Sequence, residues 1–154
     1  MLRARLDAAL KEAMKAKQPR RLSTIRLIVA AVRDREIAAR GEGVSEPVTD
    51  QEIQAILQKM VKQRRESIAH YEEGGRMELA AQEEDEINVI REFLPEQIEG
   101  EALAQAVRQV IDEVGAKGVK DMGRTMAVLR ERYAGRVDAA AAAAVAKRIL
   151  TGAT

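Results

Sequence analysis

Cysteine is missing from this 154-residue chain. A disulfide framework, a thiolate metal site and a cysteine nucleophile are therefore excluded, and the absence fits a cytoplasmic protein. Aromatic residues are nearly missing as well. Phe93, Tyr71 and Tyr133 are the complete set, and there is no tryptophan. The core must then be built from Ala, Leu, Ile, Val and Met. Long apolar runs are absent too. No stretch approaches the roughly 18 residues of a membrane span, so no membrane partner is expected. The opening segment, MLRARLDAALKEAMKAK, has no unbroken apolar centre, and Asp7 and Glu12 argue against a transit peptide, so it reads as an amphipathic helix. Histidine occurs once, at His70, where it is expected near the surface at a helix end. A helical di-iron site needs two Glu-x-x-His pairs with two further carboxylates, and the chain has none. Phosphate-binding glycine loops and nucleophile elbows are likewise missing. Ser23, Thr24, Ser45 and Ser67 have no base nearby in sequence to activate them. The expectation is no catalytic residue, no metal, no cofactor and no small-molecule substrate.

What is present is helical periodicity. The chain carries no β-branched run of period two and no Asn-Gly or Asp-Gly hairpin. Leu2, Leu6, Ala9, Leu10 and Ala13 mark one face of a helix over about residues 2–17, which Gln18-Pro19 breaks. A second helix runs from Arg20 or Arg21 to about Ala39, with Leu22, Ile25, Ile28, Val29, Val32 and Ile37 as its buried stripe and Arg26, Arg33 and Arg35 off it. Gly41 stops it, and a loop with Pro47 follows. The longest stretch, Thr49 to Pro95, reads as two amphipathic helices broken at Gly74-Gly75. Thr49 followed by Glu52 is a capping-box signature. Ile53, Ile56, Leu57, Met60, Val61, Ile68 and Tyr71 form the stripe of the first helix, and Leu79, Ala80, Ile87, Ile90 and Phe93 that of the second. Leu94-Pro95 ends the pair. Past it come a helix with Leu103, Val107, Val110, Ile111 and Val114 ended by Gly115, a helix N-capped by Asp121 with Met122, Met126 and Leu129 inward and closed by Gly135, and a last helix capped by Asp138. The last contains six consecutive alanines, Ala139 to Ala144, a run that helix propensity alone explains. The fold expected is all-α and two-lobed: long antiparallel helices over residues 1–95, a hinge near Leu94 to Gln97, and a small three-helix lobe over residues 96–154.

Net charge is only +1, but residues 1–40 carry eleven basic and four acidic side chains while residues 41–100 carry six and fifteen. Such asymmetry marks either a polyanion-binding face or two segments that pack together and neutralise one another, and the low overall basicity favours the second. Glu83-Glu84-Asp85-Glu86 cannot form one site, because four consecutive helical residues point four ways, so a solvated face is expected. Two stretches are candidate surfaces. Lys117-Gly118-Val119-Lys120-Asp121-Met122-Gly123-Arg124 sets cations and two glycines before a helix start, where a phosphate could dock on unpaired backbone N–H groups. A plain capped turn accounts for the same residues, and Asp121 competes for those groups. On the long helix, Lys59, Lys62 and Arg65 make a basic patch able to meet nucleic-acid backbone or to pair with Glu66, Glu72 and Glu73.

Several motifs in order resemble the YqeY family: Leu22-Ser23-Thr24-Ile25-Arg26-Leu27-Ile28 with Ala30-Ala31, Gln63-Arg64-Arg65-Glu66-Ser67-Ile68, Phe93-Leu94-Pro95-Glu96-Gln97, Lys120-Asp121-Met122-Gly123 with Met126, and Gly135-Arg136-Val137-Asp138. The match is collinear over nearly the whole chain. The resemblance implies an all-helical, two-lobed protein akin to the C-terminal region of GatB, the B subunit of the glutamine-dependent aspartyl/glutamyl-tRNA amidotransferase, where that region contacts tRNA. It carries over no activity; the family's association is with carbon–nitrogen ligation using glutamine as amide donor, and the catalytic domains of that enzyme are absent here. Under this resemblance Lys117, Lys120, Arg124 and Arg136 become the expected phosphate contacts, and the expected partner is tRNA or another structured RNA. The alternatives are an accessory to the amidotransferase and a module that binds a translation-related protein through its apolar or acidic helix faces.

Overall fold

A computed structural model describes residues 1–152. Among them there are seven α-helices and no strand. They are α1 (Leu2–Lys15), α2 (Pro19–Gly41), α3 (Asp50–Glu73), α4 (Met77–Arg91), α5 (Gly100–Val114), α6 (Met122–Arg132) and α7 (Ala139–Leu150), with a 3₁₀ turn at Val119–Asp121 just ahead of α6. The chain divides into two compact units, Met1–Leu94 and Pro95–Thr154.

In the first unit α3 and α4 form a helical hairpin closed by Gly74-Gly75. Gly75 sits at φ +72°, and the N–H groups of Gly75 and Arg76 donate back to the carbonyls of Glu72 and Tyr71. That is a Schellman closure, and glycine takes its left-handed position without strain. Thr49 caps α3 as its spacing predicts: its hydroxyl accepts from the Glu52 N–H at 3.1 Å. The N-terminus of α1 has no cap of its own. Asp50, in the first turn of α3, supplies one by accepting from the Leu2 N–H at 3.0 Å. This bond is the chief cause of an Asp50 carboxyl held below its ordinary range. Leu6, Ile25, Ile28, Ile53, Leu57, Ile87 and Ile90 fill the centre, with Phe93 buried beside them. Arg5 lies over the Phe93 ring, 5.7 Å from its centroid, and Arg21 grips both carboxylate oxygens of Glu92 at 2.6 and 2.8 Å.

Two expectations are corrected in this unit. Ile37 is not on the buried stripe of α2; it is 64% exposed. It lies nine residues beyond buried Ile28, two and a half helical turns, which puts it on the opposite side. Ala39 closes the buried stripe instead. Nor is the acidic run of α4 wholly solvated. Glu83 and Glu86 are half-buried, and Glu86 accepts from Arg64 Nε of α3 at 2.9 Å.

In the second unit α5, α6 and α7 pack on one another around Leu103, Val107, Val110, Ile111, Leu129, Ala142 and Ala146. Here the alanine run has a packing role: Ala142 within it is fully buried, as is Ala146 one turn on, and their small side chains let α7 lie close. Asp138 caps α7 through the Ala141 N–H at 3.0 Å. Thr125, not foreseen as core, is fully buried, its hydroxyl donating to the Asp121 carbonyl at 3.0 Å.

Candidate nucleic-acid interface

The entry to α6 is organised by Asp121, although not as an N-cap. Its side chain makes no cap bond to α6. It turns backwards, and its Oδ2 accepts from the Lys117 N–H at 2.9 Å. Its Oδ1 meets Arg124 at 3.3 Å. The Lys117 N–H contributes most to holding the Asp121 carboxyl below its ordinary range; the Gly118 N–H and the charges of Arg124 and Lys120 add to it, against some opposing desolvation. The Asp121 carboxylate therefore already occupies backbone donors that a phosphate would need. The two glycines contribute room rather than special conformation: Gly118 is extended, and a Cβ added at Gly118 or Gly123 would meet nothing within 4 Å.

The side chains of Lys117, Lys120 and Arg124 are exposed. Lys120 and Arg124 act electrostatically on Asp121, and Lys117 is joined to it through its backbone. Three cations thus share one carboxylate, leaving a surplus of two positive charges at the turn. Arg136 is placed differently. It follows the C-terminal end of α6, whereas the other three sit at its start, and an eleven-residue helix is about 16 Å long. Its Nε donates to the Glu96 carbonyl at 3.0 Å, while its own carbonyl accepts from the Ile98 N–H at 2.7 Å. Gln97 completes this clasp, its amide donating to the carbonyls of Pro95 and Gly135 at 2.8 and 2.7 Å. Arg136 and the Pro95-Glu96-Gln97 motif therefore share one structural feature, a clasp that closes the second unit at its start.

Of the second patch, Lys59, Lys62 and Arg65 are all exposed on α3. The neighbouring Arg64 turns inward instead, to Glu86 and to the Met60 carbonyl at 3.2 Å. Sequence spacing missed the resulting group of Arg64, Glu83 and Glu86. Burial first, then the adjacent Glu86 carboxylate, pushes the Glu83 carboxyl up, and Arg64 opposes this. A cleft of about 320 Å³ lies next to it, lined by Pro19, Arg20, Ser23 and Thr24 of α2 and by Gln82, Asp85, Glu86 and Val89 of α4. Thr24 is committed there: its hydroxyl donates to the Arg20 carbonyl at 3.1 Å. Among the described residues, no cluster of three or more His, Asp or Glu side chains could hold a metal, and no helix is long and apolar enough to cross a membrane.

The profile of the family described as Yqey-like protein matches residues 3–150. The chain belongs to this family. Among curated relatives, "Altered inheritance of mitochondria protein 41, mitochondrial" of Lachancea thermotolerans is 33% identical over 91 residues, 59% of this chain and 46% of that protein. The protein of the same name in Vanderwaltozyma polyspora is 31% identical over 117 residues, 76% of this chain and 58% of its own length. An uncharacterized protein of Schizosaccharomyces pombe is 32% identical over 96 residues, 62% of this chain and 73% of that one. The Yqey-like chain thus spans about half the length of the first of these relatives. The expected cytoplasmic location is overturned by the same comparison, since the relatives whose names give a compartment are mitochondrial proteins. Lack of cysteine was a poor guide, because it reports redox chemistry rather than address.

Proposed function

We propose that this Yqey-like protein binds structured RNA, tRNA foremost, through Lys117, Lys120 and Arg124 at the entry to α6. The observation that carries the reading is the internally bonded Asp121. It fixes the turn from which three cations project and still leaves two positive charges in excess. Phosphates met by such a cluster position a polyanion without reading its sequence. The aromatic residues support a folded over a single-stranded target. Phe93 is buried and Tyr71 and Tyr133 are half-buried, so none of the three offers an open ring for base stacking. Arg136 is assigned to the clasp and not to the RNA surface, and Lys59, Lys62 and Arg65 form a second place where RNA backbone meets the protein.

The test is a salt titration of tRNA binding by the full chain and by the Lys117→Glu/Lys120→Glu variant, with circular dichroism confirming the fold. Loss of two phosphate contacts should weaken binding and flatten the slope of log K against log salt by about 2. An unchanged affinity and slope would sink the assignment.

A further inference from the structure

α2 carries a second face that its own unit does not use. Of its eight charged side chains, four are engaged: Arg20 with Asp85 at 3.3 Å, Arg21 with Glu92 at 2.6 Å, Arg35 with Glu52 at 3.5 Å and Glu36 with Arg3 at 3.4 Å. The other four, Arg26, Arg33, Asp34 and Arg40, are exposed and have no ion-pair partner among the described residues. They are not scattered. Arg26, Arg33 and Arg40 recur every seven residues, a straight row with steps of about 10.5 Å. Beside the row run Leu27, Ala30, Asp34 and Ile37, all exposed, at alternating spacings of three and four. Leu27 is 46% exposed, and Ile37 more so. That is the heptad pattern of a coiled-coil seam, with Leu27 and Asp34 at a, Ala30 and Ile37 at d, and the arginines at g. Small residues, Ala31 and Ala38, occupy the e positions and leave room for a second backbone to approach.

From this pattern we propose that the exposed face of α2 is a docking site for one acidic amphipathic helix of a partner protein, with aliphatic residues on Leu27, Ala30 and Ile37, carboxylates along the arginine row and a cation opposite Asp34. Charge decides the occupant. A second copy of the chain fits poorly: packed antiparallel it sets arginine row against arginine row, and packed parallel it sets Asp34 against Asp34. A helix with carboxylates on its flanks and one cation opposite Asp34 satisfies every unpaired charge on the face. This inference stands independently of the RNA reading, which uses side chains of α3 and of the entry to α6 and none of α2.

The test uses a labelled three-heptad peptide with Leu at a and d, Glu at e and g, and one Lys at the a position facing Asp34. A control peptide carries Lys at e and g. Fluorescence anisotropy against the full chain should give saturable binding of the acidic peptide alone. Ile37→Asp should weaken it about tenfold or more, and Arg26→Glu/Arg33→Glu should transfer the preference to the basic peptide. All three side chains are solvent-facing, so the fold should survive, as circular dichroism would verify. Equal binding of both peptides, or indifference to Ile37→Asp, overturns the proposal. So does a result in which the charge reversals weaken tRNA binding but leave peptide affinity unchanged, which would make the face an RNA surface.

Discussion

Individual side chains carry unequal strain and charge, and both have measurable consequences. Lys17 is the one non-glycine residue at positive φ among the described residues, at +52°. It takes the left-handed position of a Schellman closure: its N–H donates to the Met14 carbonyl, and that of Gln18 donates to Ala13. Left-handed backbone costs a residue with a Cβ about 1 kcal/mol, so Lys17→Gly should stabilise the protein by about that amount in urea unfolding. Protonation acts in two directions. Asp50 and Asp121 are held below their ordinary range, chiefly by the Leu2 and Lys117 N–H groups. The unfolded chain therefore binds protons first as pH falls, and the stability these groups contribute is present above the ordinary aspartate value and lost as pH drops through the folded values. Glu83 has the reverse sign. Its folded carboxyl is raised by burial and by Glu86, so the native state binds the proton more readily. Stability falls as pH rises from about 4.5 through the raised value, and Glu83→Gln should flatten that slope in urea midpoints measured across the window.

Helices were the most legible part of the chain. The Thr49 and Asp138 caps, the Gly74-Gly75 break and the stripes of α1, α3, α4 and α5 depend on neighbours within one or two turns, so spacing alone reveals them. Ile37 departs from the stripe because apolar character does not fix a residue's angle: it lies half a turn round the helix from Ile28, on the second face of α2. Pairing between helices was illegible for a different reason. Arg64 has exposed basic neighbours, and nothing in its local sequence turns it toward Glu86 across the α3–α4 hairpin. Its side chain is only 13% exposed, so Arg64→Ala should cost about 1–3 kcal/mol through the lost bond, the lost aliphatic stem and the uncompensated Glu83–Glu86 pair. A double-mutant cycle with Glu86→Gln, read by chemical denaturation, should return a clear coupling energy; additive effects would deny the pair a structural role.

At the scale of the molecule, each of the two compact units has its own apolar cluster. We expect them to lose structure separately. Leu57→Ala leaves a cavity among fully buried residues of the first unit, worth about 2–5 kcal/mol. Hydrogen exchange on the full chain should then quicken in α1 to α4 while the amides of α5 to α7 keep their protection; uniform loss would mean one cooperative unit. Glutamine-dependent amidation of mischarged tRNA by the isolated chain should be undetectable, and detecting turnover would replace the RNA-binding reading with a catalytic one.

Local physics explains what the amino-acid order determined by itself: an all-helical chain, its breaks and most of its caps, because helix periodicity and capping are settled within a few residues. Which charges remain available for a partner was decided only by tertiary structure. Arg136 bonds the Glu96 carbonyl, Arg64 turns to Glu86, Asp121 bends back to the Lys117 N–H, and Arg26, Arg33 and Arg40 are left outward. A salt bridge or a carbonyl contact needs atoms within about 4 Å of each other, and for Arg136 and Arg64 packing brings together groups 40 and 22 residues apart.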